Sequence, residues 1–134
     1  MKILVVEDEP ASLKLANLVL SDSGHEVTEA YSAEEALKTV HDNCPDIILL
    51  DLALPGIDGL SLAKQLKEDS RTRGIPIVAV TAYPERFPKE GVLRAGCDAY
   101  ITKPINTRTL AHQVSVLSNL PDRGPKPGGS DLPP

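Results

Sequence analysis

Four short apolar runs in this chain end on residues that can do chemistry. Ile3-Leu4-Val5-Val6 leads into Glu7 and Asp8, and Ile47-Ile48-Leu49-Leu50 leads into Asp51. Ile77-Val78-Ala79-Val80 leads into Thr81, and Ala99-Tyr100-Ile101 is followed closely by Lys103-Pro104. If these ends meet, three carboxylates repel one another unless one takes a proton or a cation holds them. A small all-oxygen donor set fits Mg²⁺, which keeps several waters and leaves room for a phosphoryl group. Asp51 is then a nucleophile able to form an aspartyl phosphate. Mg²⁺ and Lys103 would offset charge on the phosphoryl oxygens, with the Thr81 hydroxyl bonding one of them.

Each residue alone has a plainer reading. Asp8 could cap a helix beginning at Pro10, Asp51 could cap the PGIDG loop, Thr81 could sit in a turn, and Lys103-Pro104 could be a solvated loop. Four strand ends would then need four separate causes, and one shared site accounts for them all.

The elements that would bring the ends together are legible in the apolar spacing. The runs above, with Glu26-Val27-Thr28 as a fifth, read as strands; three lack alternation, as strands covered on both faces do. Helical spacing over residues 10–22 starts at Pro10 and stops at Gly24. Ser32 with Glu35 is a capping-box pattern opening a second helix through Ala36, Leu37 and Val40. A third helix is expected from about Leu60 to Asp69, and a fifth from about Thr107 to Ser118 with Asn106 as N-cap. Between them, Pro84, Pro88 and Gly91 predict a loop or single turn at 84–87 and a short, mobile fourth helix starting near Pro88. Strand-helix alternation through five units means an α/β fold, a doubly wound parallel sheet in order 2-1-3-4-5. In that order the strands ending in Glu7-Asp8 and Asp51 are neighbours at the switch point, where such sheets bind ligands.

The bulk properties bound the function. The chain has 134 residues, suited to one domain, and a net charge of -5 without a Lys/Arg cluster, which argues against direct nucleic-acid binding. No apolar run is long enough to span a membrane, and the acidic start MKILVVEDEP is no signal peptide, so a cytoplasmic protein is expected. Cys44 and Cys97 read as reduced structural thiols, and His25, His41 and His112 as solvated. After Leu120 the sequence PDRGPKPGGSDLPP holds five prolines and three glycines, which predicts a disordered tail or linker over 121–134 behind a domain of residues 1–120.

The motifs LVVEDEP, DIILLDLALPGIDG, IPIVAVTAY and GCDAYITKP, in this order and spacing, resemble the receiver domain of bacterial two-component response regulators over residues 1 to about 119. The resemblance implies a flavodoxin-like fold with Asp51 as phosphoacceptor. It also implies Asp8 as direct metal ligand, Glu7 as an acid acting through water, and the backbone carbonyl of Ala53 as a further ligand to Mg²⁺. Thr81 and Lys103 match the phosphoryl-sensing residues, Tyr100 the aromatic switch, and Lys103–Pro104 a bond that is typically cis. The implied partners are a histidine kinase or histidine phosphotransfer protein, and a downstream effector met through the fourth helix, fifth strand and fifth helix. Such a protein is a phosphoacceptor signalling domain, not a turnover enzyme.

Two residues near the site predict a long-lived phosphoryl group: Ala53 has no side chain to orient an attacking water, and Tyr83 is bulky enough to shield the site. Three other readings compete. A receiver part of a longer protein fits the Pro/Gly-rich tail equally well. A hydrolase of the haloacid dehalogenase type needs a second aspartate where this chain has Ala53. A degenerate receiver is disfavoured by the intact Asp8, Asp51, Thr81 and Lys103.

Overall fold

A computed structural model describes residues 1–118, and the expected tail lies outside the described residues. Five strands and five helices alternate: β1 (Lys2–Val6), α1 (Pro10–Asp22), β2 (Glu26–Ala30), α2 (Ala33–Asp42), β3 (Ile47–Asp51), α3 (Gly59–Glu68), β4 (Ile77–Thr81), α4 (Lys89–Arg94), β5 (Ala99–Thr102) and α5 (Thr107–Ser118). The strands form one parallel sheet in the order β2-β1-β3-β4-β5, as the alternation predicts.

The lack of alternation in β1, β3 and β4 has its cause in two cores, one on each face. Leu4, Val6, Ile48, Leu50, Ile77 and Ala79 face α2, α3 and α4, against Ala36, Val40, Leu62, Leu66 and Val92. Their sequence neighbours Ile3, Val5, Ile47, Leu49, Val78 and Val80 point the other way, onto Leu13, Leu20, Leu110 and Val114 of α1 and α5. Each fully buried Leu or Ile contributes about 1.5–3 kcal/mol, so the middle strands are held firmly from both sides. Strand β2, at the edge, is only half-buried.

Local signals set the helix ends. Ser32 caps α2 by accepting from the Glu35 N–H, while Glu35 accepts from the Tyr31 N–H. Asp58, which carries no distinctive pattern in the sequence, caps α3 through the Ser61 N–H. Asn106 caps α5 as expected. The residue at the N-cap of α1 is Glu9, not Asp8, and its carboxylate makes no capping bond. Proline at 88 stops α4 from extending backwards, so that helix has six residues and is preceded by a single turn closed by bonds to the Tyr83 carbonyl. The Lys103–Pro104 bond is cis.

Two expectations need adjustment. His25 is half-buried, with its ring beside the amino terminus, because it follows the α1 turn back onto β1. His41 is exposed but engaged, 3.2 Å from the Arg71 guanidinium. Cys44 and Cys97 are both free thiols, the first exposed and the second buried.

Candidate functional site

Because every strand runs the same way, the four chemistry-bearing ends fall on one edge of the sheet. Backbone bonds then fix them to each other: Leu52 N–H donates to the Val80 carbonyl at 2.9 Å, and Lys103 N–H to the Thr81 carbonyl at 2.8 Å. Gly59, at the start of α3, donates to the Leu52 carbonyl at 2.9 Å and closes the loop that follows Asp51.

Side-chain oxygens of Glu7, Asp8 and Asp51 lie within 4.8 Å of one another. Glu7 and Asp51 are buried and Asp8 is exposed, so the cluster has a dry floor and one wet side. The counter-charge comes from Lys103. Its ammonium is 2.9 Å from Glu7, 3.4 Å from Asp51 and 3.7 Å from Glu9. The other Asp51 oxygen accepts from the Ala53 N–H at 3.1 Å. That bond closes a turn at Ala53, ahead of the PGIDG loop, and is compatible with the site.

Charge balance at the cluster is tight. Burial pushes Glu7 up to about 7 and the Asp51 carboxyl beside it adds to the rise, while Lys103 and the Glu9 N–H hold it down. Burial works against the Lys103 ammonium, but Glu7 and Asp51 outweigh it and raise its pKa. These carboxylates thus carry more negative charge than one lysine neutralises. Hard oxygen donors in excess of the nearby positive charge suit a divalent ion of the Mg²⁺ kind.

The Thr81 side chain is fully buried and accepts from the Tyr83 N–H at 2.9 Å. Tyr100 is half-buried on β5, its hydroxyl donating to the Phe87 carbonyl. Burial, and then the charge of Glu85, raise its pKa. Tyr83 is 43% exposed, with the Arg86 guanidinium 5.2 Å from its ring, and its carbonyl closes the turn before α4. Of the expected residues, Glu7, Asp8, Asp51 and Lys103 meet at the cluster, and the Ala53 N–H bonds Asp51. Thr81 ends the neighbouring strand β4, and Tyr83 and Tyr100 occupy the adjoining turn and strand.

Glu9 joins the site without having been expected there. The signal for it is a third acid in the run Glu7-Asp8-Glu9, with Ser12 one helical turn on.

Comparison with known proteins gives the family and agrees with the fold. The family model for the response regulator receiver domain matches residues 3–115. A polar-differentiation response regulator, DivK, from Brucella ovis is 39% identical over 104 residues, covering 78% of this chain and 85% of that protein. Among solved structures, a Chloroflexus aurantiacus protein assigned to the response regulators superposes with a TM-score of 0.82 at 34% identity, covering 87% of this chain and 95% of that one. The receiver domain of NtrX from Brucella abortus gives a TM-score of 0.80 at 31% identity over 86% and 96%.

A doubly wound sheet with acids and a lysine at its switch point is thus the frame of a signalling domain. The chain belongs to the response regulator receiver domains of two-component systems. Among the described residues, no helix is long and apolar enough to cross a membrane.

Proposed function

We propose that residues 1–120 form a receiver that takes a phosphoryl group from a phosphohistidine onto Asp51. The donor is a histidine kinase or histidine phosphotransfer protein in the cytoplasm. The observation that carries this reading is the acidic cluster of Glu7, Asp8 and Asp51 sharing the Lys103 ammonium at a parallel-sheet switch point.

Asp8 and Asp51 would hold Mg²⁺ directly with the Ala53 carbonyl, and Glu7 would act through water. The ion, when bound, supplies positive charge for the oxygens of the transferred group. The chain's own residues do the rest. An Asp51 oxygen attacks phosphorus, the P–N bond to the donor imidazole breaks, and the imidazole leaves with that bond's electron pair. Lys103 moves from the carboxylates to a phosphoryl oxygen, and Thr81 turns its hydroxyl from the Tyr83 N–H to another. The domain is its own substrate, equipped with the groups that assist its modification.

The phosphorylated carboxylate is larger and more negative. Space vacated by Thr81 lets Tyr100 turn inward, which breaks its bond to the Phe87 carbonyl. That biases a surface of α4, β5 and α5 towards the form an effector protein binds. A shift from 1:99 to 99:1 requires about 5.5 kcal/mol of differential stabilisation.

Incubation with Mg²⁺ and acetyl phosphate tests the reading. Intact mass is expected to rise by one phosphate, dependent on Mg²⁺ and lost in Asp51→Asn. Undiminished modification of Asp51→Asn would overturn it.

A further inference from the structure

We propose that Ser12 and Glu9 form a side anchor for Lys103 that keeps its ammonium from competing with the metal for Glu7 and Asp51. The inference rests on the metal-dependent function proposed for the site. It concerns two residues outside the Glu7, Asp8 and Asp51 group.

An ammonium has three donors, and Lys103 faces three carboxylates, at 2.9, 3.4 and 3.7 Å. Two of these, Glu7 and Asp51, are the groups a divalent ion needs. Glu9 is the third. Its side chain is 59% exposed, and an acid so placed ordinarily spends its time in water and holds a cation weakly. Here it is fixed. The Ser12 hydroxyl donates to the same oxygen that faces Lys103. Glu9 also occupies the N-cap of α1 without spending its carboxylate on capping. The Glu9 carboxylate takes the Ser12 hydroxyl and faces Lys103 instead.

The consequence is a division of labour among the acids. Without the anchor, Lys103 rests wholly on Glu7 and Asp51 and must be displaced from both. With it, the ammonium keeps one carboxylate when the other two turn to the metal, and waits at the mouth of the site for the phosphoryl oxygens. Glu9 is thus a positioning residue acting through Lys103.

The test is the Mg²⁺ dissociation constant, followed through backbone amide shifts of the full chain at fixed ionic strength, for wild type, Ser12→Ala, Glu9→Gln and the double variant. Glu9→Gln is expected to weaken binding by about threefold to tenfold. A mere loss of negative charge would do the same, so Ser12→Ala decides. It leaves every charge in place and only frees Glu9, and a weakening of about twofold is expected. The double variant should be no worse than Glu9→Gln alone, because Ser12 acts only through Glu9. An unchanged constant in Ser12→Ala, or additive effects in the double variant, would overturn the anchor while leaving the receiver function standing. Wild-type protein that bound no Mg²⁺ would overturn both.

Discussion

Gly59 approaches the backbone of Asp51 so closely that a β-carbon there would collide with the Asp51 carbonyl oxygen and come 2.7 Å from the Leu52 α-carbon. Both obstacles are backbone at the end of a strand buried on both faces, so neither can yield cheaply. Gly59→Ala is therefore expected to lower stability by about 1–3 kcal/mol. Urea denaturation should show a lower midpoint with an unchanged slope. Any shift of the loop is passed to Asp51, so phosphorylation by acetyl phosphate should slow as well.

Lys103 supplies the positive charge inside the acidic cluster, with its side chain only 14% exposed. Removing it as Lys103→Met leaves Glu7 and Asp51 buried without that neighbour. Glu7, already raised to about 7, would rise further and take a proton. This escape limits the cost, which is expected at about 1–3 kcal/mol in metal-free protein at pH 8. Mg²⁺ should then raise the melting temperature of the variant more than that of the wild type, since it replaces the missing charge. Equal increments would count against Lys103 as the counter-ion.

A second lysine holds the fold together at the opposite edge of the sheet. Lys67, in the last turn of α3, donates to the carbonyls of Arg73 and Ile75 at 3.1 and 3.0 Å and lies 3.4 Å from Asp98. The Asp98 carboxylate, 5% exposed, also accepts from the Ile77 N–H at the start of β4. Together they tie α3, β4 and the entry to β5. Lys67→Met is expected to cost about 2–3 kcal/mol, more than an exposed ion pair would. Because this clamp lies away from the strand ends, Mg²⁺ affinity should stay at the wild-type value.

These two lysines mark the boundary of what the sequence makes legible. The strands are legible because Ile3–Val6, Ile47–Leu50 and Ile77–Val80 are unbroken apolar runs, and burial on both faces demands that pattern. Asp51, Thr81 and Lys103 are legible because a polar residue closing such a run sits where a buried strand meets the sheet edge. Lys67 and Asp98 are 31 residues apart, and each looks like any surface charge until the fold joins them. Gly59 reads as a loop glycine, since a close approach of two backbones leaves no trace in residue type. Glu9 is hidden for another reason: it follows two acids that already suffice for the site.

The cysteines offer a check on packing by pH. Cys97 is buried, which pushes its thiol up to about 11, with Asp98 adding to the rise. Only about a thousandth of it is thiolate at pH 8, and the fraction grows tenfold per pH unit. Cys44 is exposed. Iodoacetamide at pH 8 should therefore modify one thiol readily, located at Cys44 by peptide mass, and reach Cys97 only in denaturant. Comparable rates at both would show that the start of β5 opens often.

The lifetime of the phosphoryl group tests the chemistry around Asp51 most directly. Ala53 is half-buried, its methyl packed against the core beneath the site, and it presents no group that could orient a water on phosphorus. Tyr83 lies in the turn before α4 with the Arg86 guanidinium 5.2 Å from its ring, so a shielding role asks the ring to leave that stack. The missing polar side chain is thus expected to slow release more than Tyr83 does. Ala53→Asn supplies a group able to hold the attacking water, and is expected to speed phosphate release by about tenfold, less than the roughly hundredfold or more of a true general base because an amide orients the water without taking its proton. Tyr83→Ala should change it much less while Arg86 loses its ring. Release of phosphate from Mg²⁺-loaded, phosphorylated protein measures both. A faster loss in Tyr83→Ala than in Ala53→Asn would reverse the assignment and make the aromatic turn, not the alanine, the guard of the aspartyl phosphate.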